Sequence, residues 1–175
     1  LQVGSEVDLG FVVASPSPPE VEDHVFDSRT LRRIRDLAPV ELEILLSAVA
    51  EPSLGAVFGA ALELDGRTAS AAMGSPGPSL GCLSPVVAPR LELPFDTVKL
   101  ALEEDGRKLS VAVTDLRLFE ADQRTPDRGE IRRVNAAIDS GRVLLSVGLS
   151  RPFSKPGDGR LRHWLQINNV HVFPG

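Results

Sequence analysis

Residues 98–113 carry the pattern that most limits the fold. Val98, Leu100 and Leu102 alternate with other residues, Asp105-Gly106 follows, and Leu109, Val111 and Val113 alternate again. A period of two puts each set on one face of an extended strand, and Asp-Gly supplies the positive φ angles of a two-residue hairpin turn. A β-hairpin with one buried face must find other strands or helices to cover it. The neighbouring segments supply them. Val143, Leu145, Val147 and Leu149 read as another strand, and 161–172 reads as the last one. A Pro/Gly-rich loop at 152–159 makes these two a long hairpin. Leu100, Val111, Leu145, Val147 and Ile167 are therefore expected on one buried sheet surface.

The helical signals are fewer. Pro39 suits a first helical position, and Leu42, Leu45, Leu46 and Val49 make an apolar stripe over 39–50. Thr125 reads as a cap with Pro126 at the first helical position. Ile131, Val134 and Ile138 then face inward, and Gly141 ends the helix. Ser28 is expected to cap a short helix through 35, with Leu31 and Ile34 inward. Residues 6–14 read as one strand through Val7, Leu9, Phe11 and Val13, ended by the prolines that follow. The stretch 55–94 is irregular. Phe58, Ala60, Leu62 and Leu64 suggest a strand before an Asp65-Gly66 turn, and 75–80 reads as a loop.

Strands and helices do not alternate regularly, which argues against a doubly wound parallel sheet. The expectation is a mainly β, α+β chain with OB-like, partly open β-barrel structure. It is read as a single compact domain over 1–175, with two fused OB-like subdomains, the first incomplete, as the finer alternative. Leu1 is not a start methionine, which points to an N-terminal piece missing or processed away. The chain carries no apolar run near the roughly 20 residues of a membrane helix and no secretion signal. Cys82 is the only cysteine, which rules out an intrachain disulfide and fits a cytoplasmic location. The net charge of −5 argues against broad coating of nucleic acid but leaves room for a local basic patch. Arginine far outnumbers lysine, and only Lys99, Lys108 and Lys155 are lysines, a compositional hint of a high-GC bacterium.

Several segments together resemble the bacterial dual OB-containing domain family. They are Val-Asp-Leu-Gly-Phe-Val at 7–12, Glu22-Asp23-His24-Val25-Phe26-Asp27, Asp-Leu-Ala-Pro-Val-Glu-Leu at 36–42 and Leu-Ser-Val-Ala-Val-Thr-Asp at 109–115. Closest are Leu-Leu-Ser-Val-Gly-Leu-Ser-Arg-Pro-Phe at 144–153 and His-Trp-Leu-Gln-Ile-Asn-Asn-Val-His at 163–171. The resemblance implies an accessory role beside nucleic-acid-modifying or defence enzymes in bacteria, and it carries no catalytic residues. It also implies early strands of a first barrel ahead of Val3.

On the last hairpin, Arg151, Lys155, Arg160, Arg162 and Trp164 form the candidate nucleic-acid site. Barrels of this kind bind single strands by stacking bases on aromatic rings and following phosphates with cations. The competing reading is a strand-packing tryptophan with solvated arginines. Arg29, Arg32 and Arg33, and likewise Arg128, Arg132 and Arg133, could grip phosphate, or could simply be balanced by Asp27 and Asp36 or by Asp127, Glu130 and Asp139. Glu22, Asp23, His24 and Asp27 are potential metal ligands, but their spacing fits no specific metal loop. His163 and His171 would stand about 26 Å apart on an extended strand, too far to share a metal. Asn168 and Asn169 could read bases or cap a turn. Cys82 has no histidine near it in sequence, and neither a nucleophile elbow nor a phosphate loop is present.

The leading functional expectation is a nucleic-acid-associated binding or accessory module, without enzymatic activity or cofactor. Single-stranded nucleic acid or a partner protein of the same system would be its ligand, with no membrane. The alternative is a protein-interaction or scaffold domain that does not touch nucleic acid.

Overall fold

A computed structural model describes residues 3–16, 19–20, 23–155 and 159–175. The chain begins with β1 (Ser5–Asp8), β2 (Val12–Ala14), β3 (His24–Phe26) and β4 (Arg32–Asp36). Then come α1 (Pro39–Val49), β5 (Ala50–Glu51), α2 (Leu54–Phe58), β6 (Leu62–Asp65), β7 (Thr68–Ala72), β8 (Leu80–Leu83) and β9 (Arg90–Glu92). The second half holds β10 (Lys99–Glu104), β11 (Arg107–Val113), α3 (Arg128–Ile138), β12 (Gly141–Leu149) and β13 (Arg162–Pro174). The fold is mainly β with a few helices, of the α+β class, and its sheets do not close into a barrel.

The largest sheet runs β5-β8-β12-β13-β11-β10-β9, with β7 also on β13 and β6 outside β7. The expected hairpin is β10–β11. Glu104 pairs with Arg107, and Asp105 and Gly106 both have positive φ, the backbone of a two-residue turn that matches strand twist. Leu100, Val111, Leu145, Val147 and Ile167 are all buried in one core cluster, as their alternation requires. A smaller cluster of Cys82, Leu144 and Phe173 is covered by Leu42, Leu46 and Ala50 from and just after α1. At the β9 edge, Asn135 of α3 answers both backbone groups of Leu91: its Oδ1 accepts from the Leu91 N–H at 2.9 Å and its Nδ2 donates to the Leu91 carbonyl at 3.0 Å.

Four expectations about local structure are corrected. Residues 28–35 hold no helix. Asp27 accepts the Arg29 N–H, Thr30 Oγ1 donates to the Asp27 and Leu9 carbonyls, and the chain continues as β4. Pairing with β1 sets Arg35 opposite Glu6 and Arg32 opposite Asp8, and these cross-strand ion pairs favour the strand over local helix propensity. The stretch 6–14 is two strands. Gly10 turns the backbone at φ +68°, and a Cβ there would sit 2.8 Å from Thr30 Oγ1. Phe58 and Ala60 do not belong to a strand, since Leu54, Val57 and Phe58 have helical spacing and are buried as one face of α2. Ser53 Oγ and the buried Glu104 carboxylate accept the first N–H groups of that helix. Only residues 62–65 of the expected strand are extended. Finally, α3 is capped by Asp127, which accepts from Gly129 and Glu130, while Thr125 is held by Asp122.

Val147 is almost fully buried between β8 and β13. Val147→Asp should remove the cooperative thermal transition, because an uncompensated buried charge costs on the order of 3–5 kcal/mol. A soluble variant melting at the wild-type temperature would contradict this packing.

Candidate functional site

The residues singled out on the last hairpin are largely engaged. Trp164 is buried, and its indole N–H donates to the Phe153 carbonyl at 3.0 Å. Lys155 Nζ stands 3.5 Å from the ring centroid, so the amine occupies the face a base would need. Arg162 is also buried. Its Nε donates to Ser70 Oγ at 2.7 Å and its Nη2 to Glu63 at 2.5 Å. Arg160 joins Arg162 and Trp164 around a small cavity of about 90 Å³ that Glu63 and Asp65 also line. Arg151 reaches Asp23 at 2.9 Å and the buried Glu20 at 3.3 Å. The structure thus brings Lys155, Arg160, Arg162 and Trp164 together, but amid carboxylates.

The other candidates are settled similarly. Arg29, Arg32 and Arg33 pair with Asp27, Asp8 and Asp36. Arg128 and Arg133 pair with Asp96 and Glu130, and Arg132 Nε donates to the Arg128 carbonyl. Glu22 of the acidic cluster lies outside the described residues, while Asp23 and Asp27 are bound by arginines. Among the described residues, no group of three or more His, Cys, Asp and Glu could hold a metal ion. His163 Nδ1 is 3.0 Å from the Ser150 carbonyl and 3.5 Å from Glu20. Asn168 Oδ1 accepts from Gln166 Nε2 at 3.1 Å. Cys82 is buried, and burial pushes its thiol above the usual range, away from the reactive thiolate.

A different cluster has the geometry of a site. Where β11 ends, Asp115 is buried at 2% side-chain exposure, and Arg117 grips it through Nε at 2.9 Å and Nη2 at 2.6 Å. The pair also binds β13: Asp115 Oδ2 accepts the Val170 N–H at 3.0 Å, and Arg117 Nη2 donates to the Val170 carbonyl at 2.9 Å. Burial pushes the Asp115 carboxyl up, but Arg117 and the Val170 N–H outweigh it, so the group stays below its ordinary value. One residue on, His171 is buried with Nε2 2.9 Å from Ser146 Oγ. Burial first, and then the Arg117 charge, lower its pKa from 6.5 to about 4.

Arg117 forms a wall between two hollows. One, of about 150 Å³, is shared with Asp115, Glu130, Arg133 and Val134. The other, a groove of about 420 Å³, runs between the start of α1 and the end of β13 and includes Leu42, His171 and Phe173. Ser146 and His171 have nucleophile–base spacing, but an imidazole titrating near 4 is far from the pKa that makes a strong base at neutral pH. The cluster thus sets a fixed guanidinium beside an imidazole that is neutral at pH 7.

Sequence reading did not find this cluster because Asp115, just past β11, Ser146 on β12 and His171 on β13 stand twenty-five or more residues apart in the chain. The one available signal was Asp115-Leu116-Arg117, opposite charges two apart directly after an apolar strand. Searches against protein families, curated proteins and solved structures found no match.

The lowered His171 pKa makes stability pH-dependent. The unfolded chain takes up this proton near pH 6.5 and the folded chain only near 4, so stability is full above about 6.5 and falls as pH drops from there to about 4. Asp115 acts in a different window, its contribution being lost below the ordinary carboxylate range. His171→Gln keeps a partner for Ser146 but cannot titrate. Its melting temperature should fall less than that of wild type between pH 7 and pH 4.5, by roughly 5 °C. Equal falls in both proteins would contradict the assignment.

Proposed function

We propose that this chain is a non-catalytic accessory module of a bacterial nucleic-acid-modification or defence system, and that it holds a partner protein of that system against α1. The system and the bacterial setting rest on the resemblance to dual OB-containing domains, and the OB-like reading of the β structure belongs to the same proposal. The observation that supports a protein partner is the outward face of α1. Leu42 and Leu46 turn to the core, yet Val40, Ile44, Leu45 and Val49 on the remaining arc are each more than half exposed. Four large apolar side chains exposed together on one helix make a patch of the kind that marks an interaction surface. Val40, Ile44 and Ala48 form one row spaced by four, and Leu45 and Val49 a second. Two such ridges with a groove between them accept the ridge of another helix. Glu41 and Glu43 are the charged side chains of the helix, and Arg35 pairs with the first at 2.8 Å and Arg142 with the second at 3.5 Å. The partner surface that fits is therefore the apolar stripe of an amphipathic helix.

A photo-crosslinking residue at position 44, used in the native host, should give a discrete protein adduct. The adduct should disappear when Leu45→Glu is added and should not form from position 132 on α3. Equal labelling from both positions would overturn the reading. A dimer of this chain would replace it with self-association.

Direct contact with single-stranded nucleic acid is the second reading, favoured by the grouping of Lys155, Arg160 and Arg162 at Trp164. On that reading Lys155→Ala with Arg160→Ala weakens oligonucleotide binding and flattens its salt dependence. Arg162 is a poor probe because it is buried on Glu63 and Ser70. The protein-partner reading predicts no salt-dependent binding by the wild type.

A further inference from the structure

The groove beside Arg117 has a chemistry of its own. Val3, Leu37 and Leu42 form one wall and Val172 and Phe173 the other, over about 420 Å³, within the range of small-molecule sites. Among the described residues, Arg117 and His171 are its only polar side chains. Arg117 is placed rigidly: Nε and Nη2 are held by Asp115 and by the Val170 carbonyl, while Nη1 has no hydrogen-bond partner among the described residues. Its side chain is 48% exposed, so that free edge meets solvent. The Asp115 carboxylate is met in turn by Arg117 Nε, Nη2 and backbone N–H and by the Val170 N–H, leaving it little capacity for further donors.

We infer that this groove binds a small organic acid, its single oxyanion on the free edge of Arg117 and its apolar body along Leu42, Val172 and Phe173. A guanidinium already fixed in orientation loses little entropy on meeting an oxyanion, and the N–H groups of Nη1 remain to donate to one carboxylate or phosphate oxygen. His171 is neutral at pH 7 and adds a polar ring to the groove without adding charge. A cationic ligand would meet the free N–H groups of Arg117 Nη1, which offer it no acceptor, and a purely polar one would leave the apolar walls wet. The site uses the inward-facing Leu42 of α1, so it stands independently of a partner on the outward face.

The test is a titration at pH 7 with five probes: acetate, hexanoate, inorganic phosphate, hexyl phosphate and 1-hexanol. Binding is read from NMR shifts of the His171 ring and of the Leu42 and Val172 methyls. At least one hexyl acid should bind tenfold or more tightly than its short counterpart, since each buried methylene contributes about 0.8 kcal/mol, and tenfold or more tightly than hexanol. Whichever of hexanoate and hexyl phosphate binds more tightly identifies the headgroup. Arg117→Gln should remove that preference over hexanol. Because this change also leaves Asp115 short of partners, Val3→Glu provides a second variant. Val3 lies at the surface of the same groove, and a carboxylate there should lower hexyl-acid affinity at least tenfold. Arg132→Gln on α3 should leave affinity unchanged. Hexanol binding as well as both acids, shifts confined to other residues, or full affinity in Val3→Glu would each overturn the inference.

Discussion

Strand β13 has to satisfy more neighbours than one straight edge can. On one side it pairs with β12 over nine positions, with a register shift at Ser146/Val147. On the other it meets β7 at 162–164 and β11 at 166–167, antiparallel and then parallel. Beyond Ile167 no strand among the described residues covers that side, yet Val170 is buried and its backbone needs partners. Thr114 N–H donates to the Ile167 carbonyl, and the Asp115–Arg117 pair then serves both polar groups of Val170. Two side chains stand where a strand would otherwise continue. Asp115 is buried while Arg117 keeps one side in solvent, and the lone pairs of the carboxylate are all answered, the condition under which such a charge repays desolvation.

The same device recurs on two other strands. Asn135 closes Leu91 on β9, and Arg107 Nη1 reaches the Leu64 carbonyl on β6. Open edges invite strand addition, and closing them with side chains discourages it. On the proposed protein-partner reading, β9 is already occupied at Leu91, whereas the exposed side chains of α1 offer apolar area without a competing bond. On that reading, recognition through side-chain packing on α1 is favoured over backbone pairing at β9.

The β10–β11 and β12–β13 hairpins, α1 and the buried face of α3 were legible because each repeats one period over enough residues to be unambiguous. Residues 28–35 misled because the Leu31/Ile34 spacing fits a helix, while the ion pairs that select β4 lie on β1, more than twenty residues away. Arg162 illustrates the same limit in the site. Its partners Ser70 and Glu63 are ninety or more residues distant, and nothing local distinguishes a buried arginine from a phosphate-binding one. Asp115, Arg117, Ser146 and His171 acquire meaning only once the β11–β13 crossing exists. Clusters made by topology are invisible to spacing.

Amide hydrogen exchange at Val170 tests this arrangement most directly. The N–H of Val170 has a side-chain acceptor, Asp115, whereas neighbouring amides of β13 are held by strands. In Asp115→Ala, protection of the Val170 amide should fall by roughly tenfold or more, about the worth of one hydrogen bond to a charged group, relative to any uniform loss seen at Leu165 and Ile167. The same spectra should show the Arg117 side chain released. A Val170 amide that keeps its protection relative to those neighbours would mean that the edge of β13 is held by something other than the Asp115–Arg117 pair, and that Arg117 is not a fixed wall of the groove.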